Sequence, residues 1–278
     1  NSFIGSSAEQ TSRLGFKGTE DLGGGMSAIF TVETGLQPTN ATASAWNNRQ
    51  SFVGLKKNGT GQFTLGTQYT TLFQALAATD VGQTNNMVGS AVYPQQEPNG
   101  NGNPGVAGFA GSDGTSGTSN GVTVRTSNTL QAQSDKFAGF QGNLNYTWNS
   151  SSTTETAPAA PLQGRVGGAN NRTGYQLGLN YTWNKLYATV NWQSFKADQP
   201  YSATAAQVNV GTATTGAPVL FGADGQPTAG ANVKDNQGYA AATYDFGILK
   251  AYAQWVTRKA SSQINANAYV KRQAQQIG

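Results

Sequence analysis

The strongest constraint on the fold is a two-residue alternation of apolar and polar side chains that recurs along the chain. Over residues 140–148, every second residue is glycine or a large apolar or aromatic residue, and those between are Gln, Asn or Thr. The pattern repeats over residues 175–183 and 186–193. Such segments predict β-strands with one apolar and one polar face, as in a soluble sandwich or a transmembrane barrel.

Composition favours the barrel. Only 11% of the residues are charged, which is little for a soluble surface, and 36 residues are glycine. The 12 Phe, 11 Tyr and 5 Trp exclude a disordered chain, because such side chains must lie against protein or lipid. No run approaches the ~20 apolar residues of a membrane helix, and mean hydropathy is −0.45. A transmembrane strand has low mean hydropathy as well, because only every second residue contacts lipid.

Connection lengths separate the two architectures further. The predicted strands cover residues 11–18, 25–35, 46–56, 62–69, 122–132, 137–149, 173–184, 186–197, 236–246 and 248–259, with an eleventh from Ala268 onward. The connections alternate between short turns and long segments at 36–45, 70–121, 150–172 and 198–235. Outer-membrane barrels have short turns on one side and long loops on the other. The predicted fold is therefore an all-β, antiparallel transmembrane β-barrel.

Aromatic residues agree with this prediction. The hexapeptide Leu-Asn-Tyr-Thr-Trp-Asn occurs at residues 144–149 and again at 179–184, in strands that run in opposite directions. Trp148 and Trp183 are therefore predicted at the two opposite membrane interfaces, where Tyr and Trp are enriched.

Several function classes are excluded or disfavoured. The chain has no histidine and no cysteine, which removes histidine-based nucleophilic catalysis and thiolate metal sites. We expect no enzyme activity, no cofactor and no metal. The net charge of +4 comes from 17 basic and 13 acidic residues dispersed along the sequence, so no nucleic-acid partner is expected.

Several segments resemble the general, non-specific porins of beta-proteobacteria, and they occur in the family's order. They are residues 11–33, 48–55 (Asn-Arg-Gln-Ser-Phe-Val-Gly-Leu) and 63–66 (Phe-Thr-Leu-Gly), then Arg125 with Asn128, residues 137–140, and the motifs at 244–246 and 251–252.

The resemblance implies a sixteen-stranded, trimeric, water-filled barrel in the bacterial outer membrane, with a long loop that narrows the lumen opposite basic wall residues. The chain is then one barrel domain, residues 1–278, with about 10 or 11 strands, and we expect its first and last strands to lie outside this sequence. Residues 70–121 correspond to the inward-folding constriction loop. Expected partners are two further copies in a homotrimer, outer-membrane lipid and lipopolysaccharide, and small anions and other hydrophilic solutes.

Alternation assigns candidate pore-lining residues. Because Leu14 and Phe16 point to lipid, Arg13 and Lys17 point inward, and Lys250 does so by the same reasoning. In the strand from Val122, alternation directs Thr123, Arg125 and Ser127 inward. Arg13, Arg49 and Arg125 also match the family's wall arginines. Alternation is ambiguous for Arg49, and a β-bulge would resolve it.

The predicted constriction loop contains three acidic residues, Asp80, Glu97 and Asp113, and no basic residue. If it folds inward, its carboxylates oppose the wall arginines and create a transverse field in the lumen. Inward arginines predict a modest anion preference, because a narrow channel with low-dielectric walls focuses the field.

The predicted function is a passive diffusion channel for small hydrophilic solutes and ions. A substrate-specific outer-membrane porin is the nearer alternative, and a sugar-specific one would have an aromatic track in the lumen, where alternation directs few aromatic residues beyond Tyr187 and Tyr252. A surface β-rich adhesin is the more distant alternative; a solenoid adhesin predicts a fixed repeat, and none is found.

Overall fold

The computed structural model describes residues 12–36, 49–82, 124–156, 166–198, 233–262 and 269–278. No helix among these residues is long and apolar enough to span a membrane. The elements are β1 Arg13–Gly23, β2 Met26–Gly35, β3 Ser51–Lys57, β4 Gly61–Tyr69, α1 Thr71–Thr79, β5 Arg125–Ser134, β6 Phe140–Thr156, β7 Val166–Trp183, β8 Leu186–Asp198, β9 Val233–Asp245, β10 Lys250–Ser262 and β11 Tyr269–Ile277.

The strands form one antiparallel sheet in strict sequence order from β1 to β11. This confirms the predicted all-β antiparallel class and its ten or eleven strands. Each strand pairs with the next along the chain, as expected for an up-and-down barrel. In the described part of the chain, β1 and β11 are the two edges of the sheet.

Several predicted strand boundaries were wrong, including those of β1, β6 and β7. β1 continues through Asp21, which pairs with Ser27, and the chain reverses at Gly24 and Gly25. Both glycines have positive φ, which glycine adopts without strain. β6 and β7 continue seven residues beyond their predicted ends. Their extensions are rich in Ser, Thr, Asn and Gly, which pair as strands without the apolar alternation on which the prediction depended.

The sheet has one exposed apolar face and one buried polar face. A cross-strand row on the first face is apolar or aromatic and half-buried to exposed: Phe30, Val53, Leu65, Leu130, Tyr146 and Tyr175. The row behind it on β4 to β9 consists of Thr64, Gln131, Asn145, Gln176, Gln193 and Gln237, each at most 4% exposed. Among the described strands, the apolar stripes do not pack against each other as a soluble core, so the sandwich alternative is wrong.

Helix α1 was not predicted. Thr70 caps it, and its side chain accepts a hydrogen bond from the Phe73 N–H at 3.0 Å. The apolar residues Leu72, Ala75 and Leu76 follow at helical spacing and are buried. The sequence therefore contained the signal for this helix. α1 packs against β6 to β10, on their polar face.

Candidate functional site

The polar face of the sheet carries a small apolar patch, and helix α1 docks on it. Leu72 and Leu76 of the helix are fully buried, in one cluster with Tyr239, Ala241 and Val256 of the wall. The three wall residues share the face of Gln237 and Gln254 by alternation along β9 and β10. The patch lies within a largely polar surface, so burial of apolar area fixes where the helix lies.

Hydrogen bonds hold both ends of α1. At its start, the Thr71 N–H donates to Gln176 Oε1 at 2.9 Å, which satisfies a backbone donor that the helix leaves free. At its end, Thr79 Oγ1 lies 2.6 Å from the Tyr239 hydroxyl oxygen. Gln254 Nε2 donates to the Thr79 carbonyl at 2.6 Å. The wall thus fixes both the position and the rotation of the helix.

A cluster of two arginines lies beside the start of α1. The Arg49 guanidinium is ion-paired with Glu33, and its Nη2 donates to the Tyr69 hydroxyl at 3.1 Å. The Arg125 guanidinium carbon lies 5.6 Å from the centre of the Tyr69 ring, within cation–π range. The same ring lies 4.8 Å from that of Phe73. Tyr69 therefore connects both arginines to the helix.

A β-bulge determines the side-chain direction of Arg49. Glu33 N–H donates to the Gln50 carbonyl at 2.7 Å, whereas Arg49 N–H donates to the Glu33 carbonyl at 3.1 Å. Arg49 and Gln50 thus oppose one residue, which is the pattern of a bulge. The bulge lets Arg49 reach Glu33, although strict alternation from Val53 directs it to the opposite face.

A second irregularity interrupts β5. The register shifts from Gly66 paired with Thr129 to Gln68 paired with Thr126, and Asn128 has φ 51°. Thr126 and Thr129 consequently meet on the polar face, where their hydroxyl oxygens are 2.7 Å apart. The strict alternation predicted through Ser127 is therefore wrong. Arg125 is 2% exposed at the start of this strand.

The other predicted basic residues lie apart from this cluster. Arg13 and Lys17 are exposed on edge strand β1, in register with Gly35 and Thr31 on the polar face. Lys250 is exposed at the short-turn end of β10, with Nζ 5.1 Å from the Tyr252 ring centre.

The predicted loop acids are only partly described. Asp80 is the C-terminal cap of α1 and is 2% exposed. Its backbone N–H donates to the Leu76 carbonyl at 2.8 Å. Glu97 and Asp113 lie outside the described residues.

The two predicted interface tryptophans are exposed on the apolar face, Trp148 at 41% and Trp183 at 59%. Trp148 is in register with Thr173 near the middle of β7, and Trp183 ends that strand. About ten residues at ~3.3 Å each, tilted by roughly 40°, separate the two levels by ~25 Å. That spacing equals the height of the apolar band of an outer-membrane barrel.

Several polar-face residues were missed by the sequence reasoning. Glu33 and Tyr69 complete the arginine cluster, and Asp235 forms a second buried ion pair with Arg258, whose Nε donates to its Oδ1 at 2.8 Å. Alternation from Lys250 through Gln254 places Arg258 on the same polar face, so the face of Arg258 could have been predicted from the sequence. The pairing partners depend on register, which one strand does not specify.

An antiparallel sheet with an exposed apolar band, a buried amide-rich face and aromatic residues at both ends of the band defines a transmembrane β-barrel protein. A family model described as Gram-negative porin matches residues 2–278. The chain therefore belongs to the Gram-negative porins, which are channel proteins of the bacterial outer membrane. The predicted family and location are confirmed.

Two relatives illustrate the similarity. Major outer membrane protein P.IB of Neisseria meningitidis serogroup B is 51% identical over 55 residues, which are 20% of this chain and 16% of that protein. Outer membrane porin protein 32 of Delftia acidovorans is 29% identical over 161 residues, which are 55% of this chain and 39% of that protein. The chain thus aligns with less than half of either relative.

Among solved structures, an anion-selective porin from Comamonas acidovorans is similar with a TM-score of 0.46 and 20% identity, over 98% of this chain and 74% of that one. OmpF of Salmonella typhi, solved in complex with daunomycin, is similar with a TM-score of 0.43 and 15% identity, over 95% of this chain and 76% of that one.

Proposed function

We propose that the complete protein is a passive diffusion channel for small hydrophilic solutes and ions, with a modest anion preference. The observation that carries the proposal is the inverted polarity of the sheet: its exposed face is apolar, and its amide-rich face is turned away from that side. An amide surface suits hydrated solutes, because Asn and Gln both donate and accept hydrogen bonds without a net charge.

We further propose that residues 70–121 act as the constriction loop. Support comes from α1, which belongs to the described part of this segment. It lies on the polar face and is held there by Leu72 and Leu76 and by hydrogen bonds at both ends. A helix inside a barrel reduces the cross-section of the lumen. The arginine cluster beside its first turn then lies near the narrowest level.

Anion preference follows from the balance of charge around this helix. Arg125 and Arg49 lie beside the helix start, and Glu33 offsets Arg49 through their ion pair. Arg13 and Lys17 add positive charge on β1. Because the Glu33 carboxylate offsets part of the positive charge of this cluster, the expected anion preference is modest.

We propose a homotrimer embedded in outer-membrane lipid and lipopolysaccharide. We also propose that the protein catalyses no reaction, since a lumen wall of amides, hydroxyls and paired arginines selects solutes by size and charge.

Replacing Arg125 and Arg13 by Ser tests the charge assignment. We expect the anion-to-cation permeability ratio to fall about two- to threefold, because a unit charge ~6 Å from an ion in water interacts by under ~1 kcal/mol before salt screening. The measurement is the reversal potential of the complete protein in planar bilayers under a salt gradient. The control that likewise removes two positive charges is Lys259→Ser with Lys271→Ser, two exposed residues that pair in register on the apolar side. Cation preference of the unsubstituted channel, or a ratio that the double substitution leaves unchanged, would contradict the proposal.

A further inference from the structure

Basic residues on the polar face differ in how their charge is compensated. Two arginines toward the long-loop end are ion-paired, Arg49 with Glu33 and Arg258 with Asp235. The arginine side chains of these pairs are 11% and 3% exposed, respectively. At the short-turn end, Lys57 alternates onto the apolar side, and the four other lysines are all exposed: Lys56, Lys136, Lys185 and Lys250. We call these four the rim lysines. Among the described residues, none of them forms an ion pair.

The rim lysines come from four of the five short turns or the strand ends beside them. Lys56 and Lys250 face the polar side, because they alternate with Leu55 and Ala251 on the apolar side. The Lys136 ammonium lies 3.4 Å from Thr182 Oγ1, on that same side. Lys185 lies in the turn between β7 and β8. This turn is next to the one between β9 and β10, since the Lys185 carbonyl accepts a hydrogen bond from the Asp245 N–H at 3.1 Å.

The nearby acids do not neutralise this group by direct pairing. Asp21 and Asp245 each accept an N–H from their own turn, from Gly23 at 2.9 Å and Gly247 at 2.7 Å. Asp135 is half-buried in its turn, and Glu20 pairs in register with Ala28 on the apolar side. In the described part of the chain, no ion pair joins these acids to a rim lysine.

We propose that the rim lysines form a second anion-attracting region at the short-turn mouth of the lumen, separate from the arginine cluster. This inference rests on the proposed channel function. Its ligands are small hydrated anions, such as carboxylates and phosphates, held loosely and without a fixed pose. Lysine suits this role because its ammonium is strongly hydrated and moves on a flexible stem. A focused potential raises the local anion concentration over that of cations.

A cysteine reporter measures the potential directly, because the chain has no native cysteine. Thr182→Cys places a thiol beside Lys136. The complete protein is studied in planar bilayers with two methanethiosulfonate reagents, an anionic one that bears a sulfonate and a cationic one that bears a trimethylammonium group. The block of the current reports the rate at which each reagent modifies the thiol. The measured quantity is the rate of modification by the anionic reagent divided by the rate of modification by the cationic reagent. We expect this ratio to be about three- to tenfold higher for the Thr182→Cys channel than for a small thiol free in solution, as one or two unit charges at ~6 Å would produce.

Adding Lys136→Gln and Lys185→Gln should return the ratio to within about twofold of the free thiol. The equal-charge control is Lys196→Gln with Lys259→Gln, exposed residues at the opposite end of their strands. The inference is overturned if the Thr182→Cys channel has the same rate ratio as a free thiol. It is also overturned if the ratio is raised but falls only when Lys196 and Lys259 are replaced.

The same recordings separate the two proposals. A Thr182→Cys channel that conducts with anion preference but shows a free-thiol ratio refutes the lysine mouth and leaves the channel function standing. Absence of conduction both from this variant and from the unsubstituted protein refutes the channel function, and the lysine mouth with it.

Discussion

Replacing Leu76 by Asn is expected to release helix α1 from the barrel wall and to make the single-channel current fluctuate between levels. Leu76 is fully buried against the wall patch. Losing a buried leucine costs about 2–5 kcal/mol, and placing an unpaired amide there adds ~1–3 kcal/mol. The three wall hydrogen bonds of the helix contribute only ~0.5–1.5 kcal/mol each.

A loss of about 3 kcal/mol raises the undocked population more than a hundredfold, since every 1.4 kcal/mol is tenfold. The unsubstituted channel should show one steady level, and Leu76→Asn should show excess noise at the same voltage. Ala77→Asn introduces the same side chain at the next, exposed helix position and should behave like the unsubstituted channel. Equal noise in both variants would mean that the apolar patch does not hold the helix.

Strand positions were predictable because alternation is local. The alternation over residues 140–148 predicts both the strand and the residues on each of its faces. The structure places these residues in β6, with Asn143, Asn145 and Thr147 buried on the polar face. The same argument failed where the chain departs from a two-residue period. The bulge at Arg49 changes the direction of its side chain, and the irregularity at Asn128 places both Thr126 and Thr129 on the polar face. Alternation contains no signal for either.

Contacts between distant segments were not predictable. Tyr69 and Tyr239 have ordinary positions in their strands, and their roles arise from register across the sheet and from the docking of α1. The pairing of Asp235 with Arg258 similarly requires the alignment of β9 with β10. Sequence therefore predicts which face a residue occupies better than it predicts which residues meet there.

Replacing Leu144 by Arg is expected to lower the stability of the folded barrel in lipid by about 2–4 kcal/mol, the cost measured for arginine facing lipid near the bilayer midplane. Leu144 is 49% exposed on the apolar face of β6. It lies midway between Phe140 and Trp148, which are near the two ends of the apolar band. Urea unfolding of the complete protein in lipid vesicles measures the free-energy change.

Ile29→Arg is the matched control, since Ile29 is an aliphatic residue in the middle of β2 that faces the polar side, in register with Gly54. In a water-filled lumen the new guanidinium stays hydrated, so Ile29→Arg should cost well under half as much as Leu144→Arg. Comparable losses in both variants would mean that the two faces meet similar surroundings. Because the channel proposal depends on lipid on one face and water on the other, this pair tests that difference independently of any conductance.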